Sequence, residues 1–464
     1  MKRLLSILLL FTLIFGICSC AQKTEEEFLL DLNEVTGDGS AIDLDGYECT
    51  IIQEYDLEHP FQYPVGTLMA DNYLKRLSDI SDEFNCNVTI ERALSNSVEG
   101  EMARIIAGLY VGEIACTHRP SVPARNGAFY PLDGLRDYID YMNADKFGSL
   151  GLLEVGMFNG IPYTVSPVAW PGKQSSYSYN IFAVNEGIIT RYGKTDPREY
   201  VENGEWTWDT FERIIPDYQI NDGDYTATAL NITWNIVDFA MMNGGDYVKV
   251  NDDGTVVPAL DSIEIIETFD WCSKLFTQYA DCISYLGHYE MVDAFIRQEL
   301  VLAQTSFTHM INEMIYDVEN YGVVPTPCGP RGTYGEWRSA YSDFDCMAIW
   351  VNANEPEAAA MIIDRMFEPF EGYETLEDIQ EYASGIFYDK RDVEIYTTYL
   401  EHIRWNYYTR DNIYGYFSTA KDQAKAGKSG TEIVEKYAPA ANLSVEEFVI
   451  PNYEFIMKYE AENS

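Results

Sequence analysis

Between Glu48 and Glu91 the chain reads as strand, helix and strand, and no other feature of the sequence narrows the fold as far. ECTIIQEY (Glu48–Tyr55) is a β-rich run, Leu68, Tyr73, Leu74, Leu77, Ile80 and Phe84 recur at helical spacing, and NVTIE follows as a short strand. Two strands joined through a helix have the long connection that parallel pairing requires. Met102, Ile105, Ile106 and Leu109 then suggest a second helix, and Val111–Cys116 another strand ending in the polar THRP. The expectation is an α/β fold with a mostly parallel sheet, whose ligands sit at the carboxyl ends of the strands.

At 464 residues the chain exceeds one compact core, and two or three domains with a cleft between lobes are expected. NGIPYTVSPVAWPGKQSSYSYNIFAVN, from Asn159 to Asn185, is dense in proline, glycine, serine and aromatic residues, which suits a crossing between lobes. Past it come a helix around Ile236–Met242, the turn NGGDYVKVNDDGTVV, a helix from about Ser262 to Tyr279 and the strand ELVLAQTS. The loop YGVVPTPCGPRGTYGEW precedes CMAIWVNANEPEAAAMIIDRMF, a strand, turn and helix, and from about Tyr373 the chain is helical and aromatic-rich.

The N-terminus carries a different message. Lys2 and Arg3 precede an apolar run, Leu4 to Phe15, that is shorter than the ~20 residues of a membrane-spanning helix and reads as a secretory signal. It ends in Ile17-Cys18-Ser19-Cys20, which resembles the bacterial lipobox and implies a lipid on Cys20. The acidic stretch behind it holds no apolar period and reads as a tether to a folded part that starts near Gly46. A protein anchored by lipid on the extracellular face of the cell membrane, or facing the periplasm if the organism has an outer membrane, is expected.

Net charge is −44, and loss of Lys2 and Arg3 with the signal would make it about −46, which disfavours nucleic acid as a partner. The nine cysteines include no CxxC pair and no Cys/His cluster at zinc spacing, so no metal is expected; most of those beyond Cys20, such as Cys49 and Cys346, lie in apolar runs and read as buried thiols. His59, His118, His288, His309 and His402 form no HExxH, and GxSxG, the P-loop and GxGxxG are absent. The chain therefore reads as a binder without cofactor rather than an enzyme. A surface carbohydrate-active enzyme stays as an alternative, because 75 acidic residues would supply a glycosidase-like pair by chance.

GEWTWDTFERI, Gly204 to Ile214, places two tryptophans close together in a polar segment. Thr207 is a good N-cap residue, which sets Trp208 at the first helical position and Asp209 where the helix dipole favours a carboxylate. Trp206 and Phe211 then stand at the two positions of a hydrophobic staple, so both tryptophans are read as packing residues.

Seven stretches together resemble, in sequence and order, the family 1 extracellular solute-binding proteins, the ligand-capturing subunits of ABC importers. They are NGIPYTVSP, YSYNIFAVNEGI, GEWTWDTFERI, MMNGGDYVKVNDDGTVV, AFIRQELVLAQTS, YGVVPTPCGPRG and MAIWVNANEPEAAAMIIDRMF, behind the lipobox-like segment. The resemblance covers roughly residues 46 to 370. It departs at Gly108–Ala115, GLYVGEIA, which lacks the Pro-Asp that often ends this turn in the family. The resemblance implies a two-lobed, periplasmic-binding-protein-like fold with a hinge and an interlobe cleft, crossed near Thr164–Pro167 and Ser339–Asp345. Its divisions would be a signal over 1–20, a tether over 21–45, the first lobe over 46–165 and 341–390, the second over 166–340, and C-terminal helices over 391–464 with the second lobe. It also implies a monomer that hands a solute to the transmembrane subunits of an ABC permease.

Aromatic residues make up 14% of the chain, and ring faces stack on sugars while Asn, Asp and Arg satisfy the hydroxyls, so a saccharide or oligosaccharide is the expected solute. A peptide or other small-solute receptor of the same fold is the alternative. Loops expected at the cleft supply the contact residues: Trp170 after the first crossing; Asn231, Trp234 and Asn235, where maltodextrin-binding relatives hold sugar; Phe307 after a strand; Trp337 and Tyr341 beside the second crossing; and Trp405 from the C-terminal helices.

Overall fold

The computed structural model describes residues 42–463 apart from 55–56, 58–60, 62, 64, 95–96, 148–155, 167–169, 172–180, 233–235, 308–309, 311–313, 315–316, 319, 340–345, 403 and 406–411. Cys20 and the tether up to residue 41 lie outside the described residues.

The opening strand–helix–strand forms as its spacing predicts. Strand Tyr47–Gln53 pairs in parallel with Cys86–Arg92, in register from Tyr47 opposite Cys86 to Gln53 opposite Arg92. The connecting helix Leu68–Glu83 is capped by Thr67, whose side chain accepts the Ala70 N–H. Its buried stripe is Met69, Ala70, Tyr73, Leu77 and Ile80, at spacings of three and four; Leu68 and Leu74 fall off that stripe and are exposed. Helix Val98–Ile106 and strand Ile114–Thr117 complete the expected alternation.

Two sheets result. The first runs Cys86–Arg92, Tyr47–Gln53, Ile114–Thr117, Cys346–Ile349, Thr164–Val165. Successive residues face opposite sides of it: Ile51, Ile114, Cys116 and Ile349 join one core with helices Leu68–Glu83 and Pro356–Met366, whereas Ile52, Ala115 and Ala348 join another with Val98 and Ile105. The second sheet runs Ile283–Ser284, Tyr225–Asn231, Leu300–Thr305, Ile181–Asn185, Tyr321–Pro325. Phe182, Val184, Leu230 and Leu302 face a core built with helices Trp208–Tyr218, Ile263–Gln278, Asn412–Lys425 and Gly430–Ser444. Ile181, Ala183, Ala303 and Val323 face the other core, with helices His288–Ile296 and Lys390–His402. Sheets covered by helices on both faces give a two-lobed α/β fold.

Among the described residues, each five-strand path holds one strand antiparallel to both its neighbours, and it is the strand that follows a crossing; in the second sheet Ile220–Asp222 also pairs antiparallel with Tyr225–Asn231. Ile181–Asn185 runs antiparallel to both its neighbours in the second sheet. Cys346–Ile349 does the same in the first. Ala383 and Phe387, which the sequence reading groups with the first lobe, lie in a core of the second.

The last helix departs from the expected grouping with the second lobe alone. Helix Gly430–Ser444 continues through a π-helical turn, Val445–Val449, into Ile450–Asn463. Val445 and Val449 belong to the second lobe's core, but Ile456 belongs to the first lobe's. Phe448 stacks on Phe158 at 6.5 Å, and the Asn452 side chain accepts the Gly160 N–H at 2.9 Å and donates to the Met157 carbonyl at 3.3 Å. Those partners lie in hairpin Met157–Phe158/Ile161–Pro162, turned by Asn159 and Gly160, both at positive φ (52° and 73°). The helix thus straps one lobe to the other, which a sequence pattern restricted to neighbouring residues does not reveal.

Seven cysteines, Cys49, Cys86, Cys116, Cys272, Cys282, Cys328 and Cys346, are unbridged. No helix among the described residues is long and apolar enough to cross a membrane. No group of three or more His, Cys, Asp or Glu among the described residues could hold a metal ion.

Candidate ligand-binding site between the lobes

Strand register locates the face where the lobes meet. Ile181, the first residue of its strand, lies opposite Thr305 and Pro325, the last residues of theirs. Cys346, the first residue on return to the first sheet, lies opposite Thr117, the last of its strand. Both crossings therefore meet the sheets at their carboxyl ends, the end where α/β folds bind ligands.

The polar residues at those ends are buried. In the first lobe they are Gln53, Glu54 and Thr117, with His118 part-buried beside them. One Glu54 oxygen accepts the N–H of Val98, at the start of helix Val98–Ile106, at 2.9 Å; the other accepts Thr117 Oγ1 at 2.9 Å and the His118 N–H at 3.1 Å, and lies 2.9 Å from His118 Nδ1. Burial alone would raise the Glu54 pKa, but the hydrogen bond and charge of His118 hold it below the ordinary carboxylate value. In the second lobe Asn231, Gln304, Thr305, Ser306 and Thr326 are all buried. The side chains of Gln304, Thr305 and Thr326 have no hydrogen-bond partner.

Sequence reasoning placed Asn231 here, and the structure puts it at the end of its strand, opposite Ala303 and Ser284. Trp170 is placed elsewhere. It is buried in the first lobe's core, stacked on Phe370 with centroids 4.7 Å apart, edge-on to Phe61, Tyr73 and Phe367, and its Nε1 donates to the Glu368 carbonyl at 3.1 Å. Phe307 and Trp337 are buried in one core of the second lobe, Phe307 edge-on to Tyr396 at 4.9 Å and Trp337 edge-on to Tyr334 at 5.6 Å. These large rings gain more from burial in a lobe than from a rim position, which the loop-like sequence around them conceals. Trp405 lies in a short strand whose backbone pairs in parallel with Arg338–Ser339. Trp234, Asn235 and Tyr341 lie outside the described residues.

Gln304 and Thr326 were missed by the sequence reading, as was Glu54. The available signal was a polar residue closing an apolar run, as in IIQE, LVLAQTS and GVVPT.

The Trp206–Trp208 pair packs as its spacing predicts. Both residues are buried, Trp206 meeting Phe211 edge-on and Trp208 stacking on Trp271 with centroids 4.3 Å apart. Thr207 holds the N-cap position without a side-chain capping bond; instead Trp208 N–H donates to the Cys328 carbonyl and Cys328 N–H to that of Trp206, each at 3.1 Å. Trp208 and Trp271 also line an open groove of about 710 Å³, but each covers the other's ring face.

No protein-family model matches the sequence, and no curated protein matches it. Solved structures do resemble it. The cyclic α-maltosyl-1,6-maltose binding protein from Arthrobacter globiformis superposes with a TM-score of 0.61 at 14% identity, covering 88% of this chain and 100% of that one. An ABC substrate-binding protein from Listeria monocytogenes in complex with cycloalternan gives 0.59 at 14% identity over 87% and 100% of the two chains. UgpB from Mycobacterium tuberculosis in complex with glycerophosphocholine gives 0.59 at 14% identity over 86% and 99%. The fold is that of these two-lobed binding proteins.

Proposed function

We propose that the protein is the ligand-capturing subunit of an ABC importer, which takes a saccharide or oligosaccharide between its lobes and delivers it to the permease. The observation that carries this reading is the convergence of both sheets' carboxyl ends, lined by buried polar side chains that are neutral in the second lobe and include Glu54 in the first, on the face where the chain crosses between lobes. Binding there biases the closed arrangement over the open one, since only closure lets both lobes contact one solute. Two of the similar structures bear names that specify saccharides and call the protein a binding protein, which favours capture over turnover. The glycerophosphocholine complex keeps a different small solute as the second reading.

The lipobox-like Ile17–Cys20 supports a lipid on Cys20 and attachment at the outer face of the cell membrane. Labelled palmitate incorporated into the wild type but not into Cys20→Ala would support that assignment, and equal release of both proteins to the medium would sink it. For the solute, a thermal-shift screen against linear and cyclic oligosaccharides should give a saturable rise in Tm. A rise with peptides alone would replace the saccharide by a peptide, and product formed from a labelled oligosaccharide would replace the binder by an enzyme.

A further inference from the structure

We propose that Gln304, Thr305 and Thr326 are the second lobe's hydrogen-bonding contacts to the solute, and that they select a ligand whose end in this lobe is uncharged and hydroxyl-rich. The proposal rests on the reading of the interlobe face as a solute site. Gln304 Nε2 and Oε1, Thr305 Oγ1 and Thr326 Oγ1 are all buried without a hydrogen-bond partner, and each residue is 0% exposed. Buried amides and hydroxyls are nearly always paired, because leaving one unpaired forfeits its bonds to water without replacing them.

Two buried amides elsewhere in the same lobe follow that rule, although Trp208 Nε1 and Ser262 Oγ do not. Asn185, at the far end of the Ile181 strand, donates to the Phe295 carbonyl at 3.1 Å and accepts the Ile188 N–H at 3.3 Å. Asn243 donates to the Glu264 carbonyl at 2.9 Å and accepts the Arg331 N–H at 3.1 Å. The three orphaned side chains instead close two strands that flank the Ile181 strand at its crossing end. Neighbouring strands lie about 4.8 Å apart, so Gln304 and Thr326 sit on strands about 10 Å apart, a span that a sugar ring and its hydroxyls bridge.

Their chemistry narrows the ligand. An amide offers two donors and an acceptor, and each hydroxyl one donor and acceptor sites, which matches the mixed donor–acceptor character of sugar hydroxyls. A charged group brought against them would lose its water for neutral partners, at a large cost. On the first lobe, Glu54 is already occupied by Val98, Thr117 and His118, while Arg119 Nε is buried without a partner and is a donor for the ligand's other end. Side chains with no exposure must be uncovered before a ligand reaches them, so binding here requires a rearrangement of what covers them.

The test measures Tm without ligand, and affinity by calorimetry, for wild type, Gln304→Leu, Gln304→Glu and Thr326→Val. The probes are maltotriose, cycloalternan, β-1,6-galactobiose, a galacturonic acid trisaccharide and glycerophosphocholine. The expected result is that at least one neutral saccharide binds wild type and that each variant weakens it by about tenfold, the value of one lost hydrogen bond at ~1.4 kcal/mol. Gln304→Leu without ligand should melt at or above the wild-type temperature, because it removes unpaired buried groups. A Gln304→Leu protein that melts several degrees lower, or binds the neutral saccharide with wild-type affinity, overturns the assignment and leaves the solute-capture reading standing. Binding confined to the galacturonic acid trisaccharide or to glycerophosphocholine overturns the neutral-ligand inference alone, and no binding of any probe overturns both.

Discussion

The indole of Trp206 meets the Phe211 ring edge-on, centroids 5.7 Å apart and planes at 89°, while its Nε1 donates to the Pro325 carbonyl at 2.7 Å. One side chain thereby ties the start of helix Trp208–Tyr218 to the end of strand Tyr321–Pro325. Trp206→Ala removes the ring contact and leaves a cavity, at a cost of ~3–5 kcal/mol. Denaturant unfolding should report that loss, while calorimetry of the same variant returns wild-type ligand affinity.

Trp170 behaves in the same way, in the other lobe. Its ring is packed among Phe61, Tyr73, Phe367 and Phe370, so Trp170→Ala is expected to lower stability by ~3–5 kcal/mol and to spare the affinity of the protein that remains folded. A variant of wild-type stability with weakened binding would return Trp170 to the ligand.

Arg198 is buried and organises four carboxylates. It contacts Glu186, bonds Asp196 at 2.6 Å and Asp392 at 2.9 Å, and lies 3.4 Å from Asp389. Asp392 in turn accepts the Val323 N–H at 2.9 Å, which fastens helix Lys390–His402 to the second sheet. Gly322 is required beside it, because a Cβ there would lie 2.6 Å from the guanidinium. Arg198→Ala strands these acids and should cost ~3–5 kcal/mol. Arg198→Lys should recover only part of that, since one ammonium cannot replace the guanidinium fork. Urea midpoints of the two variants test both statements.

The same cluster gives a pH dependence. Hydrogen bonds from Arg391 hold the Asp389 carboxyl at about 2, below its ordinary 3.8. A depressed folded-state value contributes stability that is complete above 3.8 and is lost as pH falls through about 2. Denaturant midpoints should fall across that window, and the fall should be shallower in Asp389→Asn.

The C-terminal strap is testable through the hairpin it holds. Asn452→Ala deletes its bonds to Gly160 and Met157 and should cost ~1–3 kcal/mol. Hydrogen exchange should quicken at Met157–Tyr163 in the first lobe before it changes in the second lobe's Leu300–Thr305 strand.

What neighbouring residues decide was legible in the sequence. Residues three and four apart along a helix share a face, so the stripe of the Leu68–Glu83 helix and the Trp206–Phe211 staple follow from spacing alone. The run of strand, helix and strand likewise fixed the parallel opening of the first sheet. Tertiary structure decided what depends on residues far apart in the chain. Trp170 looks exposed in its proline-rich loop, yet it bonds to Glu368, which is 198 positions away, because the first lobe is completed only when the chain returns as Cys346–Ile349 and Pro356–Met366. Gln304 and Thr326 look like ordinary strand ends, and only the antiparallel insertion of Ile181–Asn185 between their strands brings both to the interlobe face without partners. Spacing encodes which face of an element is apolar; which distant element comes to cover it, and which polar ends are left for a ligand, is settled by how the two sheets assemble.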